Sequence, residues 1–169
     1  MAHRHQKEGV SMSKATIVVF SGELDKVLAA FVIASGAAAS GWDVVMFFTF
    51  WGINVVRDPK KKAKKPKDMM SNMFGMMMPK GADALTLSKM HMAGMGTAMM
   101  KSRMKAKKVQ PLKDMIKDAK ELGVKFLVCD MSMDIMGLQK SEFIKEVDEI
   151  VGVGTYLKES KDANLTLFI

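Results

Sequence analysis

The chain has 169 residues, of which 49% are hydrophobic and 26% charged, with a formal net charge of +8 at pH 7. This balance is ordinary for a soluble globular protein, and the length fits one domain, which we place at residues 15–169. A single cysteine excludes a secreted fold stapled by internal disulfides and is compatible with a reducing compartment, so we expect a cytoplasmic protein. Residues 1–14 read as a polar N-terminal extension without the apolar segment of a secretory signal.

The positive charge is concentrated in one segment. Six lysines fall between positions 60 and 67, and removing their charges from +8 leaves only +2. A run of like charges is usually solvated, so we predict a mobile, exposed loop. No aromatic side chains alternate with the lysines to stack on bases, and no nucleic-acid motif is present, so we expect no nucleic-acid partner. The six residues are Lys60, Lys61, Lys62, Lys64, Lys65 and Lys67.

The first elements in chain order are a strand, a helix and a second strand. Residues 15–20 are a continuous apolar run, which is typical of a strand buried on both faces. Apolar residues then recur at helical spacing over 24–38, and negative charge at Glu23 and Asp25 suits the start of a helix. Residues 43–50 predict the second strand. The whole stretch 27–50 is apolar but interrupted by polar residues, which favours buried core over a membrane span.

A methionine-rich insertion, which we place at residues 57–108, follows the second strand. Twelve of the 19 methionines lie between positions 69 and 104. Methionine suits adaptable apolar surfaces, so three interpretations stay open. The segment is a core insertion or oligomer interface, a flap that docks a partner or a membrane surface, or a thioether site for Cu(I). His91, between two methionines, is the one specific hint of a metal, and its spacing matches no closed site; we expect no bound metal or cofactor.

The second half of the chain alternates helices and strands. We predict a helix from Pro111 to 122, a strand over 124–128, short helices capped by Ser132 or Asp134 and by Ser141, a strand over 150–153, a helix over 154–161 and a strand over 165–169. This order predicts a mainly parallel five-stranded sheet covered by helices on both faces, in a three-layer α/β/α arrangement.

Cys129 follows the third predicted strand directly, and ligands collect at the carboxyl ends of strands in open α/β sheets. A lone thiol can be reactive there, or it can be an inert buried side chain, because free cysteine is among the most buried residue types. The sequence has no P-loop, no dinucleotide-binding glycine motif and no convincing Ser/His/Asp order. The candidate chemistry therefore narrows to this thiol.

Four segments carry a resemblance to a known family. They are residues 21–26 (SGELDK), 48–54 (FTFWGIN), 87–96 (LSKMHMAGMG) and 129–137 (CDMSMDIMG). Taken together, in this order, they identify the chain over residues 14–169 as similar to the DsrE/DsrF-like family, and to its long, methionine-rich branch sometimes labelled peroxiredoxin-like. Peroxidase chemistry needs a resolving thiol, which this chain does not contain, although an external thiol could substitute.

The resemblance implies a three-layer α/β/α fold, homo-oligomerisation and sulfur transfer through a persulfide on Cys129. It also implies partners among rhodanese-like sulfur donors and small sulfur-relay proteins. We expect supporting roles around the thiol for six further residues. They are Ser21, Gly22, Trp51, Asn54, Asp130 and Met133.

Two functional hypotheses from different classes follow. The first is a sulfur carrier or sulfurtransferase that uses Cys129. The second is a non-catalytic interaction or regulatory protein that docks a partner through its methionine surface, with Cys129 buried. Membrane-surface contact through that surface is the less favoured form of docking. The accessibility of the thiol distinguishes the two hypotheses.

Overall fold

A computed structural model describes residues 12–169, and these residues form one five-stranded parallel sheet. Its strands are β1 (Lys14–Val19), β2 (Asp43–Phe48), β3 (Lys125–Cys129), β4 (Glu149–Val151) and β5 (Leu165–Phe168). The spatial order is β4-β3-β2-β1-β5, and all four pairings are parallel. The predicted α/β class and five-stranded sheet are confirmed. Most of the predicted N-terminal extension lies outside the described residues, and Lys14 belongs to β1.

Helices cover both faces of this sheet. They are α1 (Leu24–Ala39), α2 (Met69–Met77), α3 (Met95–Ala106), α4 (Leu112–Glu121), α5 (Asp130–Ile135) and α6 (Val153–Ser160). The main core lies on the face that carries α1 and α4, whose buried residues pack with alternate residues of the strands. The other face carries a smaller cluster that includes Tyr156 of α6. Among residues 12–169, no helix is both long and apolar enough to cross a bilayer.

The alternation of strand residues assigns each side chain to one of the two faces. In β3, Phe126 and Val128 belong to the main core, whereas Leu127 and Cys129 belong to the smaller cluster. The smaller cluster has less cover at its edge, because Phe168 at the end of β5 is 71% exposed. The sheet is therefore well protected on the α1 and α4 face and partly open on the α6 face.

Two helix predictions after Cys129 need correction. The chain enters α5 directly at Asp130, so neither Ser132 nor Asp134 caps it. No helix begins at Ser141, where Lys140–Glu142 forms only a short 3₁₀ turn. Phe143 then makes an antiparallel bridge to Arg57, and the Ile144 amide donates to the Val56 carbonyl at 3.0 Å. These tertiary hydrogen bonds outweigh the local helical pattern.

The methionine-rich insertion is anchored at the beginning of α1. The Leu24 amide donates to the Thr86 carbonyl at 2.8 Å, and Ser88 donates from its amide and hydroxyl to Asp25. These bonds, outweighing the opposing effect of burial, keep the pKa of Asp25 below its usual value. Leu85 and Leu87 supply the buried anchors of the segment.

Most of the methionines in the insertion do not enter the core. Met78 is buried and Met104 is half-buried, and the other ten are exposed. The interpretation of a core insertion is therefore wrong for these ten side chains, and a surface role stays open for them. They are Met69, Met70, Met73, Met76, Met77, Met90, Met92, Met95, Met99 and Met100.

The lysine run is only partly the solvated loop that the sequence predicts. Lys61 donates through Nζ to the Phe143 carbonyl at 2.8 Å, and the Lys65 backbone exchanges two hydrogen bonds with the Gln139 side chain. Lys67 is buried at its side chain and lies 2.5 Å from Glu142 Oε2. The prediction that all six lysines lie free in solvent is therefore wrong for Lys67, because this side chain is buried in an ion pair with Glu142.

Candidate functional site

Cys129 is the last residue of β3, and its side chain lies on the less covered face of the sheet. It is opposite Val151 of β4 in the strand register. Its thiol is packed in the cluster with Phe47 and Tyr156, and the residue is only 4% exposed. The sequence places the cysteine at a strand end, but the alternation of β3 turns it inward under α6.

Tyr156 and Phe47 form the aromatic part of the cover over this face. Their rings stack with centroids 4.8 Å apart and planes inclined by 19°. Tyr156 is the one residue of α6 that is buried. The packing of α6 on the sheet therefore depends on this aromatic contact, and the thiol shares its cluster.

A buried hydrogen bond fixes the segment that follows Cys129. Thr49 Oγ1 and Ser132 Oγ lie 2.8 Å apart, and both residues are buried. Thr49 follows β2 and Ser132 lies in α5, so the bond joins the ends of two neighbouring strands. The sequence analysis missed this pair. The signal available was a hydroxyl residue after each of the two strands.

Four of the predicted supporting residues line a separate cavity at the ends of β1 and β2. Ser21, Gly22, Trp51 and Asn54 surround a space of about 340 Å³ together with Glu23 and Lys26. Ser21 Oγ donates to Glu23 Oε2 at 3.0 Å and accepts from the Glu23 amide at 3.2 Å. Asn54 is buried and donates from Nδ2 to the Trp51 carbonyl at 3.2 Å.

Two glycines allow the chain segments around this cavity to approach closely. A Cβ on Gly22 would lie 2.7 Å from the Trp51 carbonyl oxygen. A Cβ on Gly52 would lie 1.9 Å from the Val19 carbonyl oxygen, and the Gly52 amide donates to the Phe20 carbonyl at 2.8 Å. Any larger residue at position 52 would force the segment after β2 away from β1. The glycines therefore hold the Trp51 segment against the end of β1.

The structure divides the predicted neighbourhood of Cys129 into two parts. The residues of the 340 Å³ cavity do not include Cys129, Asp130 or Met133. Asp130 is exposed, which lets its carboxylate point to solvent, and Met133 packs against the main core. Both parts lie at the carboxyl edge of the sheet, but the cysteine belongs to the α6 face and the cavity borders α1.

His91, which the sequence offered as a weak indication of a metal site, contacts a hydroxyl group in the structure. His91 Nδ1 lies 3.1 Å from Thr97 Oγ1, which also accepts from the Leu87 amide at 3.1 Å. Within residues 12–169, no three His, Cys, Asp or Glu side chains gather where they could hold a metal ion. Cys129 therefore stays the candidate reactive group that the sequence predicts.

Solved structures of other proteins share this fold. The protein of unknown function MTH1491 from Methanobacterium thermoautotrophicum superposes with a TM-score of 0.54 over 92% of this chain and 98% of its own, at 11% identity. The ychN protein from E. coli also gives a TM-score of 0.54, over 94% of this chain and all of its own, at 12% identity. These similarities establish the class as an α/β fold of this architecture and carry no functional information by themselves.

Residues 11–168 match the model of the DsrE/DsrF/DrsH-like family, and the chain belongs to that family. It is 46% identical over 156 residues to the uncharacterized protein YrkE of Bacillus subtilis, covering 92% of this chain and 96% of that protein. It is also 35% identical over 164 residues to the sulfur carrier protein DsrE2 of Allochromatium vinosum, covering 95% of this chain and all of the relative. The predicted family is confirmed.

Proposed function

We propose that this protein is a sulfur carrier that holds sulfane sulfur as a persulfide on Cys129. The observation that supports the proposal is the lone cysteine at the carboxyl end of a parallel strand, in a chain similar over nearly its whole length to a relative named as a sulfur carrier. Strand ends are where open α/β sheets place their chemistry. Family membership supports sulfur transfer in general, and the assignment to Cys129 is our proposal.

The chemistry requires only one thiol in this chain. The Cys129 thiolate attacks the outer sulfur of a donor persulfide, a new S–S bond forms, and the donor's inner sulfur leaves as a thiolate. The donor loses its sulfane sulfur and Cys129 gains it, so no external oxidant or reductant is consumed. Because the sequence has no second cysteine, the persulfide cannot collapse into an internal disulfide. It is retained until the thiolate of an acceptor attacks the outer sulfur.

For this transfer to occur, the donor persulfide must reach the Cys129 thiol. Cys129 is almost completely buried in the cluster that contains Tyr156. Transfer therefore needs a movement of α6 that exposes the sulfur when a donor docks. The donors we propose are rhodanese-like proteins or small sulfur-relay proteins. The partly open face beside α6 offers the surface for such docking.

The test is the intact mass of the protein after incubation with a persulfide donor, such as thiosulfate with a rhodanese, or with polysulfide. We expect a gain of about 32 Da, one sulfur atom, which Cys129 gives up again when an acceptor thiol is added. Cys129→Ser should fold normally and gain no sulfur. An unmodified wild-type protein across several donors would contradict the carrier role.

A second candidate function is a non-catalytic docking protein, and two observations favour it. Ten methionines of the insertion are exposed, and the thiol is buried. In this case Cys129→Ser would leave partner capture unchanged, whereas substitution of exposed methionines would abolish it. The mass experiment separates the two functions, because a docking protein gains no sulfur under conditions in which a carrier does.

A further inference from the structure

Helix α2 turns its apolar side chains away from the rest of the protein. None of its nine residues is buried by the described chain, residues 12–169. A surface helix is normally stabilised by packing an apolar face against its own protein. The apolar face of α2 is instead free to contact something other than this chain. Its exposed large residues are Met69, Met70, Met73, Phe74, Met76 and Met77.

The face of α2 that touches the protein is made of polar and small residues. At 3.6 residues per turn, the six apolar side chains occupy an arc of about 160°, and Ser71, Asn72 and Gly75 lie on the other side. Asn72 Nδ2 donates to the Lys67 carbonyl at 3.1 Å. Ser71 lies so close to Gly137 that a Cβ at position 137 would be 2.1 Å from its Oγ. The amphipathic pattern of α2 is therefore reversed relative to an ordinary surface helix.

Positive charge is concentrated around this helix. Residues 59–109 contain 13 of the 26 basic residues but only two of the 18 acidic residues of the chain. Lys62, Lys65 and Lys80 border a cavity of about 730 Å³ that Ser71 and Asn72 of α2 also line, so these lysines lie beside the helix. The exposed lysines that directly precede α2 are Lys60, Lys61, Lys62, Lys64 and Lys65.

The acidic groups closest to α2 already have partners. Asp68 Oδ1 accepts from the Ser71 amide at 2.8 Å, and its Oδ2 accepts from the Ser71 hydroxyl at 2.7 Å. Glu142 is buried, and its Oε2 lies 2.5 Å from Lys67 Nζ. The exposed lysines therefore keep their charge available for an external anionic surface.

The composition of this surface fits a lipid bilayer better than a protein. Methionine and phenylalanine side chains offer no strong hydrogen-bonding group, whereas protein interfaces are hydrogen-bonded and depleted in lysine. Acyl chains need no hydrogen bonds, and lysine clusters beside an amphipathic helix are attracted to anionic headgroups. A second copy of the chain would bring the same positive charge and be repelled. The occupant that matches both features is an anionic lipid surface.

We propose that α2 attaches this protein peripherally to an anionic lipid bilayer. The helix lies in the plane of the interface, with the arc centred on Met73 and Met77 directed at the acyl chains. The lysines of residues 60–65 contact the headgroups. The exposed methionines of α3 border a different groove, which no α2 residue lines, so they are not required for the attachment. The attachment also does not depend on the proposed sulfur transfer.

The first experiment is co-flotation of the full chain with lipid vesicles. One arm uses phosphatidylcholine alone, and the other uses equal amounts of phosphatidylcholine and phosphatidylglycerol. We expect binding to the anionic vesicles and much weaker binding to the neutral ones. Added sodium chloride should weaken the binding, because salt screens the lysine charges. No binding to the anionic vesicles would overturn the proposal and would favour an acidic protein surface as the occupant of α2.

A pair of apolar substitutions then tests the helix itself. Met73→Gln with Met77→Gln should lower the partition coefficient onto anionic vesicles by at least about tenfold, since two large apolar side chains no longer enter the bilayer. Glutamine is a good helix former, so the fold should persist. Val153→Gln with Leu157→Gln on α6 has the same spacing and similar exposure, and it should bind like the wild type. Equal losses in both pairs would contradict a specific role for α2.

A second pair of variants tests the lysines. Lys60→Ser, Lys62→Ser and Lys64→Ser together should lower binding at low salt, by roughly fivefold for each lysine near the surface. Lys145→Ser, Lys158→Ser and Lys161→Ser remove the same charge from exposed positions outside residues 59–109 and serve as the matched control. If both triple variants bound equally well, net charge alone would explain the binding, and the proposed orientation would be wrong.

A fluorescent label measures insertion directly. In a Cys129→Ser background, Met73→Cys carries an environment-sensitive fluorophore, and its emission should shift to the blue when anionic vesicles are added. The same label on Val153→Cys should show no shift. Unchanged emission at position 73 in vesicle-bound protein would overturn the insertion of α2. Because the background lacks the thiol, the result is independent of whether Cys129 carries sulfur.

Discussion

At the scale of single residues, the neighbours Val128 and Cys129 show how strand alternation determines whether a side chain can reach solvent. Val128 packs into the main core, and Cys129 lies on the other face with Tyr156. A reactive thiol must reach solvent as the thiolate. In the buried cluster that contains the thiol, Tyr156 of α6 is the one member outside the sheet, so we expect access to depend on α6.

We predict that Tyr156→Ala makes Cys129 react faster with iodoacetamide or a disulfide reagent under native conditions, by about an order of magnitude, because local opening becomes easier when its buried contacts are removed. The free energy of unfolding should also fall by about 3 kcal/mol, as expected for loss of a large buried aromatic side chain. Tyr156→Phe preserves the ring stack and serves as the control. Equal modification rates in the three proteins, with folding checked by circular dichroism, would show that α6 does not control access.

Lys67 differs from the other lysines of its run because it is buried beside Glu142. We predict that Lys67→Met lowers the free energy of unfolding in urea by about 2 kcal/mol, since Glu142 loses its charged partner at 2.5 Å and keeps only Arg57, whose Nη2 lies 3.7 Å away. The triple variant Lys60→Ser, Lys62→Ser and Lys64→Ser changes three exposed side chains and should unfold like the wild type. If Lys67→Met unfolded like the wild type and the triple variant were less stable, the interpretation of a wholly solvated loop would hold instead.

At the scale of elements, α6 is held to the sheet by charge as well as by Tyr156. Glu159 pairs with Lys14 of β1, and its Oε1 lies 3.4 Å from Lys125 Nζ of β3. The hydrogen bond from Lys14 holds the pKa of Glu159 below its ordinary value of 4.5, although partial burial opposes the effect, and Lys125 reinforces it. One helix is thereby linked to two strands of the sheet.

A pH dependence follows from the sign of this shift. Because the folded-state pKa of Glu159 is depressed, its stabilising contribution is complete above pH 4.5 and is lost as the pH falls through the folded-state value. We predict that Glu159→Gln weakens the acid dependence of the unfolding free energy in that range. Glu121→Gln, at an exposed carboxylate with no ion pair in the described chain, is the control. Superimposable pH curves for the wild type and Glu159→Gln would contradict the assignment.

At the scale of the whole molecule, the exposed methionines on and just before α3 are the most unusual surface feature. Large apolar side chains exposed in such number are uncommon on a soluble monomer. Several of these side chains border a groove of about 880 Å³ along α3. We propose that this surface joins copies of the chain in a homo-oligomer.

We therefore predict that light scattering gives a mass of at least two chains, and that Met95→Gln with Met99→Gln shifts the protein towards the monomer. The two residues are one turn apart and share a face of α3, so they weaken the same contact. Met131→Gln, at an exposed methionine of α5 outside the insertion, should leave the mass unchanged. A monodisperse wild-type monomer would show that the methionine surface has another purpose.

The sequence was sufficient for the order of elements and for the family. Continuous apolar runs such as 15–20 and helical spacing over 24–38 are local patterns, and local patterns determine which element forms. The four recognised segments likewise are linear motifs, and the family that they predict is confirmed. The prediction that fails locally is the helix at Ser141, where bonds from Phe143 and Ile144 to distant segments replace helical ones.

Only the tertiary structure decided which side chains face one another. Sequence placed Cys129 and Ser21 at the same edge of the sheet, but strand alternation turned the thiol towards α6, while the Ser21 cavity formed beside α1. Likewise, a lysine run predicts solvent exposure, and Lys67 is nevertheless buried because a carboxylate 75 positions later in the chain lies beside it. Burial and charge pairing depend on contacts between residues that are distant in sequence. A linear pattern therefore shows which reactive and charged side chains the chain contains, and the fold decides which of them come together.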